Sequence, residues 1–305
     1  MMYDVIVVGG GAAGMTAALY AQRNGKKALV IEKAGFGGQI THSPKVENYP
    51  GTLSMSGNEF ADRMLEQILA QGAEIEFETV CGVEDGGNVK TVLTEEGNRF
   101  EGKTVILATG VKHRMLGLEG EDELVGEGIS FCAVCDGDFY RGKKVCMAGG
   151  GNSALQEAIL PSDKCEEVIM LQDLPVFTGE ASLQKILFSR PNVRAITEVK
   201  ITGLLTEAGE FRGVEILKKD GAPEKIECDG LFVAIGLIPE NGAFADLADL
   251  NDYGYFDSDE QCLTKTPGIY IAGDCRSKNV RQLTTAVADG ATAALAACRY
   301  INALQ

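Results

Sequence analysis

Two α/β units, the second inserted into the first, are predicted by three observations in this 305-residue chain. Tyr3 to Val8 is a short, valine-rich apolar run, and Gly9-Gly10-Gly11-Ala12-Ala13-Gly14 follows it at once. Lys144 to Ala148 repeats the pattern, with Gly149-Gly150-Gly151-Asn152-Ser153-Ala154 behind it. Both copies lead to a second apolar run ending on a polar residue at the same distance: Glu32 lies 23 residues after Gly9, and Gln172 lies 23 after Gly149. Continuous apolar runs fit parallel strands covered on both faces. A G-x-G-x-x-G/A turn between such a strand and a helix lets the backbone approach a pyrophosphate, at which the helix points its first N–H groups. The chain therefore reads as two Rossmann-like dinucleotide-binding domains, the first discontinuous (1–112 and 241–305) and the second (113–240) inserted into it.

Composition sets limits on partners. Hydrophobic content of 45% with 24% charged residues is that of a globular protein long enough for two cores. The 28 basic and 44 acidic residues give a formal charge of −16, which argues against nucleic acid as a partner. The uncharged stretch from Val5 to Gln22 is long enough to suggest a membrane span, but four glycines interrupt it and no basic leader precedes it. A buried strand, turn and helix are expected there, with no membrane anchor or targeting signal. Nine cysteines, of which only two stand close together, do not form a secreted disulfide framework. Cys81, Cys146, Cys165, Cys228, Cys262, Cys275 and Cys298 read as reduced, mostly buried residues of a cytoplasmic protein.

In the first domain a helix is expected from about Ala12 to Asn24 and a strand from Lys27 to Ile31. Glu32 then offers a carboxylate to both ribose hydroxyls of a dinucleotide. Gly35 to Gln39 and Val46 to Gly51 read as loops whose glycines let backbone lie along a ligand. Ser56 and Glu59 form a capping box for a helix ending at Gly72. The stretch from Glu74 to about Arg99 reads as an antiparallel hairpin layer, and Val105 to Ala108 as a buried strand closed by Thr109-Gly110. Late in the chain, Ile269 to Ala272 with Gly273-Asp274 is strand-like. Arg281-Gln282 opens a long helix whose apolar Leu283, Val287, Ala291, Leu295 and Cys298 share one side.

The chemistry centres on Cys132-Ala133-Val134-Cys135-Asp136. Two cysteines three positions apart can close a small reducible disulfide, in which one thiolate attacks an outside disulfide and the other resolves the mixed species. Asp136 can supply or accept the proton. A zinc half-site and a bland buried pair are the alternatives; zinc wants four ligands, and neither a second C-x-x-C nor a histidine at ligand spacing exists, so no metal is expected.

The second glycine loop informs on the electron donor. A 2′-phosphate calls for guanidinium or ammonium partners, yet Gln172-Asp173-Leu174-Pro175-Val176-Phe177-Thr178 carries none before Lys185. Asp173 repels a phosphate, whereas Gln172 can bond a free 2′-hydroxyl. Pro161 is expected to shorten or kink the helix after this loop.

Along essentially its whole length the chain resembles the bacterial low-molecular-weight thioredoxin reductases. The matching pieces are Gly9 to Gly14, Gly37-Gly38-Gln39, Val46 to Gly51, Ala108-Thr109-Gly110, Cys132 to Asp136, Gly149 to Ala154, Ala272-Gly273-Asp274 and Arg281-Gln282. The resemblance implies FAD on the first domain, a nicotinamide donor on the second, a homodimer, and rotation of one domain against the other. Glu32, Lys33, Ala34, Gly35, Phe36, Gly37, Gly38 and Gln39 would follow the adenosine and pyrophosphate of FAD. Asn48 would approach the isoalloxazine, and Asp274, Arg281 and Gln282 would hold the ribitol and ring. Gly9, Gly11, Ala12, Ala13, Gly14, Val80, Ala108, Thr109, Gly110, Gly273 and Leu283 complete the implied FAD set. Gly149, Gly151, Asn152, Ser153, Ala154, Gln172 and Asp173 form the implied donor set. Cys135 would face the flavin, Cys132 would attack thioredoxin, and Asp136 would be the acid/base.

One departure stands out. The family's NADPH signature is His-Arg-Arg with a further Arg, where this chain has Gln172, Asp173, Leu174 and Thr178. NADH is therefore expected ahead of ferredoxin, and both ahead of NADPH. An acidic ferredoxin would need a local basic patch, for which Arg141-Gly142-Lys143-Lys144 is the candidate. The rival functions are a dithiol oxidase passing electrons to oxygen and a flavin-binding redox sensor without turnover; the intact second glycine loop and Asp136 favour the reductase.

Overall fold

The computed structural model describes residues 2–43 and 45–304. In chain order the first part forms β1 (Met2–Val8), α1 (Ala12–Arg23), β2 (Ala28–Glu32), α2 (Gly57–Ala70), β3 (Glu74–Phe77), β4 (Val80–Asp85), β5 (Lys90–Thr94) and β6 (Arg99–Leu107). After β7 (Lys112–His113) come α3 (Glu121–Leu124), β8 (Ile129–Ser130), α4 (Ala133–Asp136), β9 (Lys144–Ala148), α5 (Asn152–Ser162), β10 (Glu167–Leu171) and α6 (Ala181–Phe188). They are followed by β11 (Val193–Ile196), β12 (Val199–Glu207), β13 (Glu210–Lys218), β14 (Pro223–Glu227), β15 (Gly230–Val233), β16 (Leu237–Ile238), β17 (Ile269–Ile271) and α7 (Leu283–Ala303).

The chain divides into two compact units, one of Met1–Thr41, Tyr49–Lys112 and Ile238–Gln305, the other of His42–Asn48 and His113–Leu237. His42–Asn48 thus groups with the second unit, although its neighbours in sequence belong to the first.

In the first unit β1 is flanked in parallel by β2 and β6, β3 extends the sheet beyond β2, and β17 joins β6 in parallel. Side chains alternate across this sheet. Val5, Val7, Val30 and Ile106 pack with α1 and α7, while Ile6, Val8, Leu29, Val105 and Leu107 pack with Phe244 and Phe256 on the other face. Removing each such side chain from water stabilises by about 1.5–3 kcal/mol. The expected antiparallel layer is confined to β4, β5 and the start of β6, because Glu74–Phe77 pairs in parallel with Leu29–Glu32 instead. The first four residues of that run are the edge strand of the parallel sheet.

Helix α2 starts at Ser56, whose hydroxyl accepts the Glu59 N–H, but the Glu59 carboxylate turns to Arg63, so only half of the expected capping box forms. The buried side of α7 also differs from expectation. Gly290, Ala293, Ala294, Ala297 and Ile301 face the core, whereas Leu283, Val287, Ala291 and Leu295 are only half-buried. Small residues were required because α1 lies very close: a Cβ at Gly290 would fall 2.2 Å from the Ala13 carbonyl oxygen. A count of large apolar residues misses such a face.

In the second unit β9 is flanked in parallel by β10 and β15, with β11 beyond β10 and β8 beyond β15. Val145, Met147, Val168, Met170 and Phe232 face α5, while Cys146, Ala148, Ile169 and Leu171 face the β12–β13–β14 meander. Pro161 does not cut α5 short. It occupies the last turn, so α5 has 11 residues against 12 in α1. Cys81 is exposed, and the other six unpaired cysteines are buried. Among the described residues no helix is long and apolar enough to cross a membrane.

Candidate active site

Gly9 leaves β1 with φ +106°, and a Cβ there would meet the Ala108 carbonyl oxygen at 2.3 Å. A Cβ at Gly14 would fall 1.9 Å from the Gly9 oxygen, so only glycine lets α1 start this close to the strand. The Glu32 carboxylate crosses above the turn and accepts N–H groups from Gly10 (2.6 Å) and Ala34 (2.9 Å). Each of its oxygens keeps a lone pair for a ribose hydroxyl. Gly37 donates to the Gly10 carbonyl and forms a bridge with Gly11, which brings the second predicted loop alongside the first. Gly273 approaches from another side, because a Cβ on it would lie 2.8 Å from Ala13 Cβ.

Thus Gly9–Gly14, Glu32, Gly37, Ala108 and Gly273 form one cradle. Thr109 donates to Asn241 Oδ1 (2.8 Å), and Lys33 pairs with Glu240. Leu283 and Val80 are half-buried in the same unit, whereas Asn48 is exposed and groups with the second unit.

The far end of this cradle is a polar cluster. Asp274 Oδ1 is sealed from water and makes no hydrogen bond, although Lys278 Nζ is 3.3 Å away. Burial raises the Asp274 pKa, with Lys278 opposing. Arg281 donates to the carbonyls of Asp274 and Arg276 and lies over the Tyr255 ring at 4.2 Å. Gln282 caps α7 in a reciprocal box with Thr285.

The sequence reading missed the base of this cluster. Asp289, reaching back from α7, accepts Gly273 N–H (3.1 Å), Arg276 Nε (2.9 Å) and Lys278 Nζ (3.0 Å). Burial pushes its carboxyl up, but Arg276 and Lys278 hold it below the usual range. An acid in the middle of an apolar helix was the available signal. A cradle that only glycines permit, an acceptor pair at Glu32 and an orphaned Asp274 oxygen together suit a dinucleotide with a polyhydroxylated chain, so FAD fits these residues.

The second glycine loop copies the first in backbone. Gly149 has φ +123°, and a Cβ there would meet the Ala234 carbonyl oxygen at 2.4 Å. Gln172 is buried against Gly150 and donates Nε2 to the Val176 carbonyl (3.2 Å). Thr178 and Gly179 donate their N–H groups to the Gly150 carbonyl, and Asn152 Oδ1 accepts the Glu180 N–H (2.7 Å). Asp173 is exposed. In the candidate basic patch Arg141 pairs with Asp138, which Lys164 shares, Lys143 lies over the Tyr140 ring, and Lys144 lies 3.9 and 4.0 Å from Glu166 and Glu167.

Cys132 and Cys135 form a disulfide, with Cys132 as the N-cap of α4. Cys132 Sγ accepts the Cys135 N–H at 3.2 Å. Behind them Asp136 is buried: Oδ2 accepts the Ser130 hydroxyl (2.6 Å), while Oδ1 is sealed and unbonded. Burial raises its pKa, and Ser130 only partly offsets this. His113 stacks on Phe131 at 4.5 Å, and burial with the nearby His42 pushes its pKa down to about 4, so its imidazole is neutral. Burial thus favours the protonated form of Asp136, the residue next in sequence to Cys135. Glu157, absent from the sequence-based set, reaches from α5 to accept the Ala133 N–H. An acid one turn after Ala154 on the loop-bearing helix was the clue. Among the described residues no three His, Cys, Asp or Glu side chains gather as a metal-binding group.

An α/β pair of glycine cradles with a disulfide in the inserted unit defines a class of flavin-type disulfide oxidoreductases. The sequence profile of the pyridine nucleotide-disulphide oxidoreductases matches residues 3–290. Thioredoxin reductase of Listeria monocytogenes is 37% identical over 305 residues, covering 100% of this chain and 95% of the relative. That of Treponema pallidum is 38% identical, covering 99% and 98%. The crystal structure of thioredoxin reductase from Streptococcus pyogenes superposes with a TM-score of 0.93 at 36% identity, covering 99% of both chains. The chain belongs to the pyridine nucleotide-disulphide oxidoreductase family and, within it, to the thioredoxin reductases.

Proposed function

We propose that this chain is an FAD-dependent thioredoxin-disulfide reductase that takes its electrons from NADH in preference to NADPH. The observation that carries the reading is the Cys132–Cys135 disulfide backed by a buried, half-unbonded Asp136 on the unit that also bears the second glycine cradle. FAD, held by Glu32, the Gly9–Gly14 turn and the Asp274 cluster, supplies hydride acceptance and two-electron transfer to the disulfide.

After reduction, Cys132 is the attacking thiol. Its N-cap position and the Cys135 N–H on its sulfur favour the thiolate. Attack on a thioredoxin disulfide forms one mixed S–S bond and expels one thioredoxin thiolate, which Asp136 can protonate. Cys135 then attacks Cys132 Sγ, re-forming the Cys132–Cys135 bond and releasing the second thiolate.

Donor choice follows from Gln172 and Asp173. With Gln172 Nε2 committed to Val176, Oε1 remains as the acceptor for a free ribose hydroxyl. No guanidinium comes from residues 172–180, and Asp173 places a negative charge where a 2′-phosphate would lie. Each charge-assisted hydrogen bond so lost is worth about 1.5–3 kcal/mol, so a preference for NADH of ~10²-fold or more is expected. Of the patch that an acidic ferredoxin would need, Arg141 pairs with Asp138 and Lys144 lies near Glu166 and Glu167, while α5, intact through Pro161, keeps its first turn for a pyrophosphate.

Anaerobic assays with thioredoxin disulfide and NADH, NADPH or reduced ferredoxin in turn test this reading. Thioredoxin reduction fastest with NADH is expected. Equal or faster turnover with NADPH contradicts the donor assignment. No thioredoxin reduction with any donor, together with oxygen consumption from dithiols, contradicts the reductase.

A further inference from the structure

We infer that Glu157 is a positioning residue that sets the redox balance of the Cys132–Cys135 pair from the helix of the second glycine cradle. It rests on the assignment of that pair as the redox centre, not on thioredoxin as its substrate.

Helix α5 begins at the cradle, with Gly151 as its N-cap, and Glu157 lies further along the same helix. Its carboxylate crosses to the start of α4 and accepts the Ala133 N–H, the first donor of the turn that Cys132 caps. A short helix start of this kind normally stabilises a thiolate at its N-cap, because unpaired N–H groups point at the sulfur. Here one of those donors is already taken by a carboxylate. The Cys132 sulfur accepts the Cys135 N–H, while the Ala133 N–H goes to Glu157.

The same carboxylate adds negative charge to a poorly hydrated place. Burial raises the Glu157 pKa even though backbone N–H groups of Ala133 and Val134 oppose it, and Asp136 raises it further. The other acid next to the pair is Asp136 from α4, which accepts the Ser130 hydroxyl; near Asp136 the Tyr140 pKa is pushed up to about 12 by burial and by that carboxyl.

Reduction of the disulfide adds two electrons and one or two protons, leaving a thiol and a thiolate or two thiols. A thiolate at Cys132, next in sequence to the N–H that Glu157 holds, is disfavoured by that carboxylate, so Glu157 holds the couple towards the disulfide. That bias makes the reduced pair a stronger electron donor to an outside disulfide. It also means that the helix which contacts the donor nucleotide directly adjusts the centre that receives its electrons.

The test is a redox titration of the FAD-loaded protein in dithiothreitol buffers, with the Cys132/Cys135 peptide alkylated and quantified by mass spectrometry. Glu157→Gln keeps an acceptor for Ala133 but removes the charge; Glu157→Ala removes both. Both variants are expected to shift the dithiol–disulfide equilibrium about tenfold towards the dithiol, about 30 mV upward, with the alanine variant shifting more. Glu166→Gln, exposed elsewhere on the unit, is the control and should leave it unchanged. FAD content and thermal unfolding show whether each variant is folded. A folded glutamine variant with the wild-type equilibrium overturns the inference, as does a shift towards the disulfide. Because thioredoxin takes no part in the titration, a wrong substrate assignment leaves this result intact.

Discussion

The two glycine cradles are nearly the same object in backbone and different objects in chemistry. Gly11 and Gly151 both enter their helices in extended conformation (ψ −175° and −179°), and the first glycine of each turn abuts a carbonyl of the neighbouring strand. What differs is the side chain at the end of the second strand. Glu32 presents an acceptor fixed by two backbone N–H groups, while Gln172 spends its amide nitrogen on Val176 and lies buried. Beside each cradle stands an acid with a sealed, unbonded oxygen: Asp274 near Lys278 and Arg281, Asp136 with Ser130. The backbones of the two cradles are thus alike, and the side chains beside them are what set the two sites apart.

Substituting the two orphaned acids should separate their roles most strongly. Asp136→Asn should retain FAD but slow disulfide reduction by about 10²- to 10⁴-fold, the usual value of a placed proton donor. Asp274→Asn should instead weaken FAD retention. Comparable loss of dithiol chemistry in both variants breaks the distinction. Asp136 also leaves a signature in stability. Burial raises its folded pKa, so the fold binds this proton more tightly than the unfolded chain does. Its contribution is present below the unfolded value of about 4 and is lost as pH rises through the raised folded value. Thermal unfolding of Asp136→Asn should therefore gain on the wild type as pH rises from about 4 towards neutrality; a constant difference across that range contradicts the assignment.

The tightness of the two turns gives the next effect. Gly14→Ala forces a methyl to within 1.9 Å of the Gly9 oxygen and should cost about 3 kcal/mol or more, visible in denaturant unfolding and in FAD content. Ala154→Gly in the second cradle relieves nothing and should cost only about 1 kcal/mol. Equal losses mean that the first turn is not the tighter one. Smaller still is the exchange of the strand-end residues. Glu32→Gln should weaken FAD binding by roughly 10- to 100-fold in equilibrium dialysis, the worth of a charge-assisted bond, and an unaltered affinity removes Glu32 from the cofactor site.

Most of the fold was legible because its signals are local. Both glycine turns, the strands before them and the C-x-x-C announce themselves in a few residues. What escaped was set by distant neighbours. The buried face of α7 consists of small residues because α1 comes within van der Waals limits of Gly290, and no periodicity of large apolar residues reveals that. Glu74–Phe77 alternates like a hairpin strand yet pairs in parallel with β2, because the edge of that sheet was open to it. In the site, Asp289 and Glu157 went unread since each acts across the fold on a backbone N–H, of Gly273 and of Ala133. Pro161 was expected to shorten or kink α5, but it sits in the last turn, where the helix continues to Ser162 and the Pro161 carbonyl still accepts the Cys165 N–H.

The division of labour between the two cysteines is the central claim, and trapping the mixed disulfide tests it most directly. The reduced Cys135→Ser protein, mixed with thioredoxin disulfide whose resolving cysteine is absent or blocked, should accumulate a stable adduct through Cys132, identified by mass spectrometry of the linked peptides. Cys132→Ser should form little or none. An adduct formed only by Cys132→Ser, through Cys135, contradicts the account.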